Sequence, residues 1–167
     1  MRSDVDLAYL KRAAAAYLAR YAASAAQLER VLERRVAKRC RIGGADPADH
    51  AETVKAAVAF CVGAGLVDDA AFAAGRTATL AQRGWPERRI RAALAQKGVA
   101  RETAEAALAG AEIDDAAAAR RFAERRRLGP FRPPGVRAEK RDKDIAAMMR
   151  AGFGFELARA TIGRAEE

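Results

Sequence analysis

Two pairs of adjacent acids, Asp68-Asp69 and Asp114-Asp115, are the first residues of this chain to invite a chemical reading. Paired carboxylates can serve general acid–base catalysis or hold a metal ion, but that work needs a pocket and usually a third group. Here each pair opens an alanine-rich run, "DDAAFA" and "DDAAAA". An aspartate just before a helix accepts free N–H groups of its first turn, and a second one favours the positive end of the helix dipole. Recurrence at one capping position favours helix starts over catalysis. The soft metal ligands are Cys40, His50 and Cys61, separated by 10 and 11 residues. That is not the paired CxxC or HxxxH spacing of a structural zinc site. No nucleophile motif, GxGxxG or Walker lysine is present. The expectation is therefore no catalytic residue, no metal and no cofactor.

Charge offers more. Lys and Arg total 31 against 22 Asp and Glu, a net charge of +9 over 167 residues. So basic a chain is attracted to polyanions: nucleic acid, an acidic protein surface or anionic lipid. A compositional origin competes with this, because 25 Arg and 45 Ala are also what a GC-rich genome supplies in excess. In the helix expected after Trp85, Ile90, Ala93 and Leu94 share a face and Arg88 and Arg91 project away from it. Arg83 and Lys97 lie near its two ends. These four bases either form a solvated face or meet phosphate or an acidic groove. From Arg120 to Lys143 there are ten bases against three acids. Arg125 and Arg126 fall beside Phe122 on the helical wheel, within about 60° of it, so they must snorkel, pair or face a partner. Arg120, Arg125, Arg126, Arg127 and Arg132 join the candidate partner or nucleic-acid contacts. Phe131 either anchors such a contact or tucks onto its own core. Trp85 could stack on a base, but a hydrophobic staple between two helices is the better reading.

The elements that must carry these side chains are helices. Ser24 precedes "AAQLERVLERRV", whose Leu28, Val31, Leu32, Arg35 and Val36 trace one stripe. Asp46 and Pro47 open a helix that runs to about residue 64 and stops at Gly65. Asp68 opens another, stopping before Gly84; Trp85-Pro86 opens the next, stopping at Gly98. Shorter helices follow from Ala100, Asp114, Glu139 and Phe155, and no run alternates well enough for a strand. Three segments align without gaps: "LARYAASAAQLERVL" from Leu18, "LAQRGWPERRIRAAL" from Leu80 and "MMRAGFGFELARATI" from Met148. Leu32, Leu94 and Ile162 coincide, as do Gly84 with Gly152 and Trp85 with Phe153. The acid pairs echo at an offset of 46 residues and the last two segments at 68, leaving 22 extra residues in the final unit. The Pro/Gly-rich "LGPFRPPGVRAEK" is that insertion, expected as a loop or linker. The fold expected is all-α, a tandem, elongated and curved array of three three-helix repeats over residues 1–64, 65–110 and 111–167, with the inserted basic loop around 128–138.

The start "MRSDVDLAYLKR" has acids where an export signal has bases. The longest apolar run, 12 residues from Ala56, is too short to cross a bilayer. Two cysteines are too few for a disulfide scaffold, so a cytoplasmic, soluble, reduced protein is expected.

The series Gly65-Leu66-Val67-Asp68-Asp69, Phe72-Ala73, Arg83-Gly84, Arg89-Ile90, Leu94 and Gln96-Lys97-Gly98-Val99 resembles the central signature of RecX proteins. "MMRAGFGFELARATIG" is similar to that family's C-terminal repeat, its turn Arg150-Ala151-Gly152-Phe153 being one residue looser. The first repeat, with Ala22-Ala23 at the turn, matches weakly. The resemblance implies a three-repeat, all-helical, non-enzymatic regulator that binds the RecA recombinase, lies along the groove of its filament on single-stranded DNA, and usually inhibits ATP hydrolysis and strand exchange; a monomer is expected. The enclosed DNA is a further candidate contact, and no membrane partner is implied. A second reading is an autonomous DNA-binding protein of tandem helix-turn-helix-like units, weakened by the lack of base-reading side chains at a recognisable recognition helix.

Overall fold

The computed structural model describes residues 5–163. Residues 1–4, the start of the stretch read against an export signal, and residues 164–167 lie outside the described residues. Nine α-helices follow one another among the described residues, with no strand between them: α1 Leu7–Leu18, α2 Ala25–Gly43, α3 Ala51–Gly63, α4 Asp69–Gln82, α5 Glu87–Gln96, α6 Arg101–Ala109, α7 Asp115–Arg126, α8 Arg137–Arg150 and α9 Phe155–Ile162.

Most of the expected helix starts are where the caps place them. The Ser24 hydroxyl accepts from Gln27 N–H at 3.2 Å, Asp68 from Ala71 N–H at 3.0 Å and Asp114 from Ala117 N–H at 2.8 Å. Each satisfies a first-turn donor that the helix itself cannot. Asp46 also caps, accepting from Ala48 N–H at 2.9 Å, but Pro47 opens a 3₁₀ turn, Pro47–His50, and the α-helix starts only at Ala51. Asp6 caps α1 through Tyr9 N–H, at 2.6 Å. Gly65, Gly84 and Gly98 have φ of 70°, 76° and 76°, the left-handed conformation that ends a helix at little cost in glycine.

The described residues form two compact units, one of residues up to Ala73 together with Ala95–Ala104, the other of Ala74–Leu94 with the chain from Glu105 onward. In the first, α1, α2 and α3 enclose Leu10, Leu28, Leu32, Val36, Cys40 and Ala57, among other buried side chains. The α2 stripe is the expected one with two differences: Val31 is half-buried and Arg35 exposed, and the stripe continues to Cys40. In the second unit, α7, α8 and α9 close over Ala119, Ala123, Met148, Phe153, Ala158 and Ile162. Phe122 leans on Phe153 with ring centroids 5.5 Å apart.

The aligned positions behave alike. Leu32 and Leu94 are 0 % exposed and Ile162 7 %. Leu28, Ile90 and Ala158 are all fully buried. Alanine-rich faces let the helices approach closely, so short helices still bury a core within each unit.

Candidate partner-binding surface

The acid pairs divide their labour. Asp68 and Asp114 cap their own helices, but Asp69 Oδ1 accepts from the N–H of Ala25, the first residue of α2, at 2.8 Å. Asp115 Oδ1 accepts from the N–H of Glu87, the first residue of α5, at 2.9 Å. Ala25 and Glu87 are equivalent in the repeat alignment, as are Asp69 and Asp115, so one joint is built twice. Its acceptor lies 44 and 28 residues from its donor, too far for capping rules to reveal.

The α5 arginines have different surroundings. Arg88 is exposed, and so is Arg83, just beyond the end of α4. Arg89 lies over the Trp85 ring, 3.6 Å from its centroid, a cation–π contact that holds the indole at the turn. Gly152, at φ 103°, approaches the same corner: a Cβ there would stand 2.9 Å from Arg89 Cβ and 3.3 Å from Pro86 Cγ. Trp85 is therefore part of a packed helix junction. Arg91 is engaged within the protein. Its guanidinium takes Glu105 at 2.8 and 3.1 Å and Glu87 at 2.6 Å. The hydrogen bonds it donates to Glu105 and then to Glu87 hold it further toward its charged form. Lys97 belongs to the first unit, where its carbonyl accepts the Ser24 hydroxyl.

The basic segment sorts in the same way. The Pro/Gly-rich stretch is ordered into two 3₁₀ turns, Gly129–Phe131 and Pro134–Val136. Their anchor is Asp144 on α8, 1 % exposed, which accepts Gly129 N–H at 2.8 Å and both Arg132 Nε and Nη2 at 2.7 Å. Burial pushes the Asp144 carboxyl up, but the hydrogen bonds from Arg132 and Gly129 outweigh it and hold the group below its ordinary value. Gly129, at φ 51°, fits because a Cβ there would meet Ile162 backbone at 2.8 Å. Arg137 donates to the carbonyls of Arg132 at 2.9 Å and Pro130 at 2.8 Å, and Arg141 to that of Gly163 at 3.1 Å. Arg132 and Arg137 fasten the insertion, and Arg141 ties α8 to the end of α9. Phe131 is half-buried and packs against the α7–α9 core.

What remains outward is a ridge on α7. Arg120, Arg121, Arg125 and Arg126 are exposed, and Arg127 follows in a left-handed conformation, φ 52° and ψ 54°. None of the five is within ion-pair distance of a carboxylate among the described residues. Arg125 and Arg126 stand 6.0 and 5.8 Å from the Phe122 centroid, and Arg120 5.9 Å from that of Phe131. Their guanidinium groups thus stand at the outer reach of a cation–π contact while the side chains remain exposed. Arg121 belongs with this ridge although the sequence reading does not single it out; its place beside Arg120 in an uninterrupted basic pair is the signal that could have found it.

Among the described residues no group of three or more His, Cys, Asp or Glu could hold a metal ion. Cys40 and Cys61 are buried, and burial pushes the Cys61 thiol up. A shallow groove lined by Ala74, Ala78, Ala81, Ala106 and Ala107 has Gln82 and Glu112 as its polar side chains, too few to orient a small ligand. No described helix is long and apolar enough to cross a membrane.

Comparison with known proteins agrees with the series from Gly65 to Val99. The model of the RecX second three-helix domain matches residues 68–108, which take in α4, α5 and nearly all of α6. The chain is 42 % identical over 161 residues to the regulatory protein RecX of Myxococcus xanthus, covering 95 % of this chain and 86 % of that protein. It is 39 % identical over 101 residues to the regulatory protein RecX of Agrobacterium fabrum, covering 60 % of this chain and 54 % of the relative. With the protein of that name from Shigella dysenteriae it shares 38 % over 90 residues, covering 54 % and 53 %.

Proposed function

The chain belongs to the RecX family, and from that premise we propose that it is a non-enzymatic regulator that binds the RecA recombinase on single-stranded DNA and restrains its ATP hydrolysis and strand exchange. The observation that carries this reading is the α7 ridge: Arg120, Arg121, Arg125 and Arg126 are exposed, without a carboxylate in ion-pair reach among the described residues, with Arg125 and Arg126 beside Phe122 and Arg120 beside Phe131. A free arginine cluster on a rigid helix is what an acidic protein surface or a phosphate row selects, because guanidinium forks bind carboxylate and phosphate bidentately. Arg83 and Arg88 are the further contacts proposed on the same unit, and Lys97 on the first unit. Arg91 and Arg132 contribute by holding α5 and the insertion in place. In this reading the three sets of helices, α1–α3, α4–α6 and α7–α9, are the three repeats.

The test is binding of fluorescently labelled protein to RecA assembled on single-stranded DNA, compared with the same DNA bare. The proposal expects binding that depends on RecA and weakens at least about tenfold when Arg120, Arg125 and Arg126 are all changed to Ala, a loss of about 1.4 kcal/mol. Equal affinity for bare DNA, whether or not RecA is present, would favour the autonomous DNA-binding reading instead.

A further inference from the structure

The joint that the chain builds twice has an unused half near each end. Asp69 and Asp115 accept the first N–H of a helix in the preceding set, from Ala25 and from Glu87. Phe155 is the equivalent of Ala25 and Glu87 in the alignment from Leu18, Leu80 and Met148. Among the described residues no further helix follows α9 to bring an acceptor to it, and its N-cap, Gly154, makes no side-chain bond. Near the other end, Leu7 and Asp69 stand 62 residues apart, the same offset as Leu18 and Leu80. Asp6 keeps that register: it caps α1 three residues ahead, as Asp68 and Asp114 cap α4 and α7. Leu7 therefore holds the position from which Asp69 and Asp115 make the joint.

Both unused halves are apolar. Phe155 is 50 % exposed and Leu7 37 %, whereas Ala25, Glu87, Asp69 and Asp115, which make the inner joints, are half-buried. Met149 is 45 % exposed. Its equivalent, Ala81, lines one groove with Ala111 and Glu112, which lead into Asp114-Asp115, so that position borders the incoming helix at the inner junction. The outermost units of a helical array need a polar outer face to stay soluble. Here a phenylalanine, a methionine and a leucine are exposed at positions that border the joint elsewhere. A single exposed leucine would need no explanation. What selects a contact is that the exposed residues are the two matching halves of one joint.

We propose that these halves meet between neighbouring copies of the chain, Leu7 of one copy seating on the Phe155 and Met149 surface of the next. The occupant is a second copy because the chain supplies both halves and already builds the joint between its own helices. Leucine in place of aspartate suits a contact between separate molecules, where burial of apolar surface supplies the drive. Each copy uses different surfaces on its two sides, so the contact is head to tail and builds rows or rings, not a two-fold dimer. The contact is small, and the net charge of +9 repels copies at low salt. Association is therefore weak in free solution and grows where copies are held side by side. The inference rests on the repeat register and not on the RecA reading.

The experiment mixes two full-length variants, Leu7→Cys and Phe155→Cys, at high protein concentration under mild oxidation and without RecA. The native thiols, Cys40 and Cys61, are buried, and each variant alone is the control. The mixture is expected to give a disulfide-linked dimer whose linked peptides, by mass spectrometry, contain positions 7 and 155. Sedimentation equilibrium of wild type is expected to show weak self-association that strengthens as salt screens the charge. Phe155→Ala or Leu7→Asp should weaken it at least about tenfold. Combining the two changes rebuilds between copies the pair that Asp69 and Ala25 make, and should recover part of the loss. Equal cross-linking by either variant alone overturns the head-to-tail arrangement. Association unchanged by Phe155→Ala, in a variant that melts like wild type, overturns the proposal, as does a wild type that stays monomeric at every concentration and salt.

Discussion

Asp144 and Arg132 show how a basic segment divides between structure and surface. Removing the carboxylate leaves the buried Gly129 N–H without its acceptor and the partly exposed Arg132 guanidinium without its partner, which costs about 1 to 3 kcal/mol. Asp144→Ala should therefore destabilise the α7–α9 unit by that order in a denaturant melt. The pair also sets a pH dependence. The Asp144 pKa is lowered in the folded protein, so its contribution is present above the unfolded carboxylate value of about 3.9 and is lost as pH falls through the lower folded value. Asp144→Asn should lack that acid-side loss, while the wild-type melting temperature falls as the group protonates. Arg127 follows the end of α7 with φ 52°, which costs an L residue about 1 kcal/mol that glycine avoids. Arg127→Gly is expected to raise stability by up to that amount, offset in part by a more flexible unfolded chain. The sequence shows that residues 120–143 are basic. It does not show that Arg132 finds a carboxylate 12 residues on, or Arg91 one 14 residues on. Those partners are set by tertiary packing, which charge counting does not register.

Helix boundaries are legible because capping is local. Ser24, Asp68 and Asp114 each satisfy an N–H three residues ahead, so residue type and position suffice to place them. Burial of Leu32, Leu94 and Ile162 is legible for a similar reason: helical periodicity and the repeat register agree. Leu94→Ala should cost about 2 to 5 kcal/mol in a denaturant melt, as expected for a fully buried leucine. The Asp69 and Asp115 joints are not legible, since their donors come from other helices. Each is worth about 1 kcal/mol as a cap. Asp69→Ala and Asp115→Ala are expected to lose about that much, and the corresponding Asn variants, which keep an acceptor oxygen, to recover most of it. Equal stability of the Ala and wild-type proteins would show that the joints are only contacts.

Across the described residues, packing pairs part of the arginine excess and leaves part of it exposed. Pairing removes Arg91 and Arg132 from the candidate surface, and the Trp85 ring engages Arg89. The α7 ridge remains, rigidly mounted and without a carboxylate in ion-pair reach among the described residues. Its role is decided by ATP hydrolysis by RecA on single-stranded DNA, followed while the purified chain is titrated in, beside the Arg120→Ala, Arg125→Ala, Arg126→Ala variant. Wild type is expected to suppress hydrolysis, and the folded variant to need at least about tenfold more protein for the same suppression. Hydrolysis unaffected by wild type, or suppressed equally by the variant, would contradict a RecA-directed role for this ridge.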